Sequence, residues 1–124
     1  AVLNFAPVQD DVILYSDLIK VYVGREACTV IGMDATNYLF SHVQRELPEV
    51  MLEESEARYC VSDGLEILSV RLALIPKTAL TEVLCFEYKG TCMGASFIVY
   101  INARTGAEED IFEIIDSEDG QLVV

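Results

Sequence analysis

Residues 97–116, FIVYINARTGAEEDIFEIID, decide between a sheet and a helical reading of this chain. FIVYI alternates and is rich in β-branched and aromatic side chains, the pattern of a half-buried strand. Asn102, Thr105 and Gly106 then supply turn chemistry, with Gly106 free to take a positive φ. Three acids follow and run into an apolar segment of ambiguous period. Ile111, Ile114 and Ile115 fit one helix face, whereas the turn SEDG and the closing QLVV fit a terminal hairpin. The strand reading of 107–116 is adopted here, with its acids on the wet side and its isoleucines on the core. Acids on an exposed edge also discourage stray strand pairing.

Sliding the sequence by 78 residues lays IKVYVGREACTVIGM (19–33) on FIVYINARTGAEEDI (97–111), so that Val21, Tyr22 and Val23 meet Val99, Tyr100 and Ile101, and Cys28 meets Gly106. The match falls on a strand–turn–strand unit each time, which reads as an internal repeat of a small α+β module with a period near 80. A cysteine in the glycine position predicts a first turn of different geometry.

Around this unit, DVILY (11–15), LIKVYVG (18–24) and TVIGM (29–33) read as strands of a meander. DATNYLFSHVQREL (34–47) places Ala35, Tyr38, Leu39, His42 and Val43 at helical spacing behind Asp34 as N-cap, and ends before Pro48. LEESEARYCV (52–61) is a second helix, with acids in its first turn, Glu53 as a weak cap, and Ala57, Cys60 and Val61 on one face. Strands follow at 66–75, 82–89 and 96–102. The fold class is α+β, antiparallel sheets each packed by a helix.

Composition narrows the function. The chain has 124 residues, 52% of them apolar, enough for a proper core. With 21 acids against 8 bases the net charge is −13, and no Lys/Arg cluster offsets it locally, which argues against nucleic acid and anionic membranes as partners. Apolar runs such as LALI (72–75) fall far short of the roughly 20 residues that cross a bilayer. No signal peptide is expected within these residues, so any export address lies outside them. Cys28, Cys60, Cys85 and Cys92 form no C-x-x-C, and with one histidine no zinc site is expected. Cys85 and Cys92 flank a turn and would bridge only in a register that the sequence does not fix; reduced, mostly buried thiols are expected.

The segments NFAPVQDDVILYSDLIKVYV, IGMDATNYLFSHVQRELPEVMLEESEA, RLALIPKTALTEVLCFEY and FIVYINARTGAEEDIFEIID together resemble the C-terminal PepSY region of the YpeB family of spore germination proteins. RLALIP, EVLCFEY and VYINARTG are the most distinctive words, and the resemblance covers nearly the whole chain. It implies tandem PepSY-like modules, each a helix on an antiparallel sheet: a partial one at 1–46 that lacks its leading helix, and a complete one at 47–124. It also implies a longer protein with a membrane anchor outside these residues, located outside the cytoplasm at the inner spore membrane or spore envelope. The implied function is non-catalytic binding that stabilises or restrains a SleB-like cortex-lytic hydrolase. The alternative is a PepSY inhibitor of a secreted or membrane peptidase. The family brings no catalytic residue and no cofactor.

The residues themselves point the same way. Hydrolysis by a Ser–His or Cys–His pair would need His42 as base, yet His42 reads as mid-helix and no G-x-S-x-G elbow exists. His42 and Arg45, at i and i+3, share a helix face and are candidates to grip a partner carboxylate. Glu108, Glu109 and Asp110 are the other partner-binding candidates; as a glycan-cleaving carboxylate pair they lack aromatic neighbours, and the chain has no Trp. DSEDG (116–120) fails as a calcium loop, because Gln121 stands where the sixth-position glycine should be. A first module without its helix leaves sheet surface bare near Ile13, Tyr15 and Ile19, which predicts a homodimer through that module.

Overall fold

The computed structural model describes residues 1–78, 81–117 and 120–123. The architecture is α+β, with two sheets and two short helices. The first sheet is three-stranded and antiparallel, in the order β1 (Val2–Phe5), β4 (Ile19–Val23), β5 (Val30–Asp34). The second has seven strands in the order β10 (Gly120–Val123), β9 (Glu108–Ser117), β8 (Ala95–Asn102), β7 (Glu82–Cys92), β6 (Glu66–Pro76), β3 (Val12–Leu14), β2 (Val8–Gln9). The opening stretch is thus strand, turn and strand, and β9 and β10 form the expected terminal hairpin. The acidic turn between them, at 118–119, lies outside the described residues.

The repeat is reproduced in backbone geometry. Tyr22 faces Gly32 and Val23 faces Val30, with a register shift between them; 78 residues on, Tyr100 faces Asp110 and Ile101 faces Glu108, with the same shift. The turns close alike. Gly24 N–H donates to Thr29 C=O at 2.8 Å, and Asn102 N–H to Ala107 C=O at 2.8 Å. Cys28 corrects the expectation of a different first turn, because it holds φ +51 where Gly106 holds φ +78. A bulged hairpin with this register requires a left-handed residue at that point, and the cysteine accepts the strain.

Alternation in β6, β7 and β8 fills both faces of the large sheet. One face carries Leu74, Leu84, Phe86, Tyr88, Val99 and Ile101 beneath Ala57 and Val61. Ala57 lies in α2 (Glu54–Arg58). The other face carries Ile13, Ala73, Ile75, Cys85 and Tyr100. The helix is too short to reach the outer strand, so Ile111 and Ile115 are half-exposed, contrary to their expected place in the core.

Three further expectations are corrected. The meander fails because β3 leaves its neighbours to pair in parallel with β6, Val12 opposite Leu72 and Leu14 opposite Leu74. Its three residues are apolar on both sides and all buried, the signature of an interior strand and not of a half-wet one. This buries Ile13, so bare surface lies instead on β1, β4 and β5, where Leu3, Phe5, Val30 and Met33 are exposed. Cys85 and Cys92 both sit in β7, and seven residues along one strand separate them by about 23 Å, far beyond disulfide reach. All four thiols are free, with Cys28 and Cys60 exposed, which overturns the expectation of mostly buried cysteines.

The first helix is also shorter than its spacing predicts. Asp34 Oδ1 accepts from Thr36 N–H at 3.0 Å, but α1 (Thr36–Ser41) ends after six residues. His42 turns to an extended ψ of 112. Beyond it, the Gln9 amide holds Arg45 like a strand partner: Gln9 Nε2 donates to Arg45 C=O at 2.6 Å, and Arg45 N–H donates to Gln9 Oε1 at 3.1 Å. With Val43 β-branched and Pro48 ahead, intrinsic helix preference is too small to resist these tertiary bonds.

Cys28→Gly removes the left-handed strain and is expected to raise stability by up to about 1 kcal/mol, net of glycine's entropy. Gly106→Ala puts a Cβ at 3.0 Å from Cys60 Sγ at φ +78 and is expected to lower it. Paired thermal melts followed by circular dichroism check both signs.

Candidate functional site

The most polar interior feature lies where the two sheets meet. The 3-10 turn Tyr15–Asp17 leaves β3 and places Asp17 at zero exposure. Arg45 closes a two-pronged fork on it, with Nη1 to Oδ2 at 2.7 Å and Nη2 to Oδ1 at 2.9 Å. His42 Nδ1–H donates to Oδ2 at 2.9 Å. Its ring stacks on Tyr38 with centroids 4.4 Å apart. Arg45 Nε reaches on to Glu82 Oε1 at 3.0 Å. Burial by itself would raise the Asp17 carboxyl; the hydrogen bonds from Arg45 and then His42 outweigh it and hold the group below the usual aspartate range. The same bond to Asp17 raises the Arg45 guanidinium above its ordinary value.

His42 and Arg45 do converge on a carboxylate, as their i, i+3 spacing anticipates, but that carboxylate is Asp17 of the same chain. They meet it from the end of α1 and the extended segment after it, not from one helix face. His42 caps the helix, so its mid-helix placement is corrected. Among the described residues no hydroxyl or thiol hydrogen-bonds His42.

The acid run lies elsewhere. The bulge pairs Glu108 with Ile101 and Asp110 with Tyr100 and leaves Glu109 as the extra residue. Glu109 accepts from Asn102 Nδ2 at 2.8 Å and pairs with Lys77 Nζ at 2.7 Å. Those two bonds hold its carboxyl below the ordinary range, the one from Asn102 contributing most. Glu108 and Asp110 are exposed, and Asp110 Oδ1 accepts from Ile111 N–H at 3.2 Å. The tip joining β6 to β7 is therefore tied on two sides, by Arg45 to Glu82 and by Lys77 to Glu109.

The sequence reading missed a second buried acid. Glu87, 1% exposed in the middle of β7, accepts from Tyr15 Oη and, at 2.8 Å, from Tyr100 Oη, both on Oε2. Burial and then the bond to Glu87 push the Tyr15 hydroxyl well above its ordinary pKa, and burial does the same to Tyr100. A lone acid in the apolar run VLCFEY was the available signal, as was Asp17 in ILYSDLIKV. Burial, and after it the Glu109 charge, push the Cys85 thiol up to about 12, which keeps it protonated and inert. Among the described residues no group of three or more His, Cys, Asp or Glu side chains is placed to hold a metal.

Comparison with known proteins fits this geometry. The family model described as "YpeB sporulation, PepSY1 and PepSY2 domains" matches residues 1–48. The sporulation protein YpeB of Bacillus subtilis (strain 168) is 33% identical over 117 residues, and that of Halalkalibacterium halodurans 36% over 117. The solved C-terminal domain of Bacillus megaterium YpeB superposes with a TM-score of 0.85 at 30% identity, over 90% of this chain and 50% of that one. The chain is homologous to the C-terminal PepSY region of YpeB sporulation proteins. Each curated match covers 94% of this chain but 26% of the relative, so the chain spans about a quarter of those proteins. Both curated relatives bear the name sporulation protein YpeB. Among the described residues no helix is long and apolar enough to cross a membrane.

The Asp17 clamp is the part of this YpeB-like chain most open to test. Asp17→Asn takes the two-pronged anion from Arg45 and leaves it the single contact to Glu82; the expected cost is up to about 3 kcal/mol at neutral pH. Combining it with Arg45→Met should recover part of that loss, a coupling of about 1–3 kcal/mol in a double-mutant cycle. Because the folded carboxyl is held low, its stabilisation is full above the ordinary aspartate pKa of about 3.9 and is lost as the pH falls through that value toward the lowered one. Urea unfolding repeated from pH 7 downward should show this acid-side loss in the wild type and a shallower one in Asp17→Asn.

Proposed function

We propose that this chain is a non-catalytic binding segment of a sporulation protein that stabilises or restrains a SleB-like cortex-lytic peptidoglycan hydrolase. It would work outside the cytoplasm at the spore envelope, tethered by an anchor elsewhere in the full-length protein. The division into a partial module (1–46) and a complete one (47–124) belongs to the same proposal; the repeated hairpin supports it, with β2 and β3 lent across to the second sheet. One observation carries the binding reading. The polar clusters that would do chemistry are spent largely on partners inside the chain, while β1, β4 and β5 present apolar side chains left exposed among the described residues: Leu3 at 49%, Phe5 at 54%, Val30 at 68% and Met33 at 66%.

The test is a calorimetric titration against the SleB-like hydrolase of the same organism, with its activity on cortex peptidoglycan read in parallel. Binding at about 1 μM or tighter, with the hydrolase inhibited or shielded from proteolysis, is the expected result. No heat and no protection would end the reading for residues 1–124. The bare face also favours a homodimer through β1, β4 and β5. Light scattering should show a mass that rises with concentration and falls back to monomer in Leu3→Lys/Met33→Lys; a monomer at every concentration removes the dimer.

A further inference from the structure

A groove of about 760 Å³ runs beside the Asp17 clamp, within the size range of ligand clefts. Ser41 lines it from the last turn of α1, Glu46 and Pro48 from the segment after it, Ser16 from the 3-10 turn, and Thr81 and Glu82 from the start of β7 and the residue before it. We propose that this groove seats an extended peptide segment of a partner protein that carries lysine or arginine side chains.

Three features select that occupant. The wall segment belongs to no helix or strand and, Arg45 apart, no backbone N–H or C=O from 43 to 50 is hydrogen-bonded among the described residues. Unpaired backbone beside a cleft is what a peptide needs to dock through main-chain hydrogen bonds. The charge on the walls is also unbalanced. Arg45 is the cation there, and its guanidinium is already engaged by Asp17 and Glu82. Glu46 makes no ion pair among the described residues, and Glu82 keeps one buried oxygen, Oε2, without a partner, as does Ser16 with its Oγ. Buried oxygens that lack donors mark a site short of N–H groups, which a peptide N–H or an ammonium would supply. A net charge of −13 draws such a cationic segment toward the surface, and the groove gives it one geometry.

The inference names a partner segment for the binding reading above without depending on which partner supplies it. Its probe is acetyl-Lys-Ser-Lys-Ser-Lys-amide, titrated into ¹⁵N-labelled chain at about 0.15 M salt, where exposed charges are screened. Saturable shifts of the Ser41, Glu46 and Thr81 amides are expected. Glu46→Gln should weaken binding about two- to five-fold. Glu113→Gln, on β9 near the opposite end of the large sheet, should leave it unchanged. Shifts centred on β9, equal weakening by both variants, or no saturation at millimolar peptide would overturn the groove as a seat. A dead groove with intact hydrolase binding removes this inference alone; a working groove without hydrolase binding removes the hydrolase reading alone.

Discussion

A carboxylate with no water around it must find its counter-charge inside the protein, and much of this structure is arranged so that Asp17 does. The bare charge would cost several kcal/mol to bury. A guanidinium fork returns most of that only when both oxygens are met at once, and Arg45 meets both. To bring it there, the chain must abandon the helix at His42 and run extended past Gln9. Arg45 then reaches Glu82 and ties down the tip of the longest hairpin. One buried acid thus fixes a helix end, the course of the following segment and the approach of the first sheet to the second. Glu87 does similar work with neutral donors, joining Tyr15 of the 3-10 turn to Tyr100 of β8. Glu87 thereby holds an early residue, Tyr15, to strands far along the sequence, and Asp17 reaches one of them, β7, through Arg45 and Glu82.

The large antiparallel sheet was legible because its strands obey local rules. β6, β7 and β8 alternate, end at proline or turn residues, and find their neighbours through short loops. The repeat was legible for the same reason, down to a register shift at the same pair of positions in both copies. What local rules could not show was competition. The 34–47 stretch has true helical spacing, yet the Gln9 amide and the Asp17 carboxylate offer its second half bonds that a solvated helix end lacks. VIL at 12–14 looks like any short strand until its third dimension is known, and a parallel pairing with β6, 60 residues away, has no sequence signature. Cys28 was misread because steric preference was taken as a prohibition, whereas the hairpin register over-determines the backbone there.

The candidate site was half legible. His42 and Arg45 were read as a pair to grip a partner's carboxylate; i, i+3 spacing says nothing about whose carboxylate is at hand, and the one they meet inside the chain is Asp17. The acid run was seen as a solvated edge with binding capacity; the bulge that singles out Glu109 and turns it toward Lys77 depends on the pairing of β9 with β8. Asp17 and Glu87 escaped because a lone acid in an apolar run is equally the mark of an exposed strand position, and only the packing of the other face tells the two apart.

The two copies of the hairpin make that last point quantitative. Val99, at the position of Val21, is 3% exposed, and Ile101, at the position of Val23, is fully buried. Both lie under Ala57 and Val61. In the first copy, with the same register and the same bulge, Val21 and Val23 are only partly buried. The backbone of the two hairpins is alike, and what sets the second apart is its covering helix. Each 100 Å² of apolar surface left in water forgoes about 2.5 kcal/mol. The first hairpin therefore holds a stabilisation that residues 1–124 do not realise among themselves, and a surface of that kind gains from contact while the self-satisfied polar clusters do not. The proposed partner contacts are accordingly placed on the bare sheet and at the unpaired oxygens of the groove, not on the buried, internally bonded acids Asp17 and Glu87.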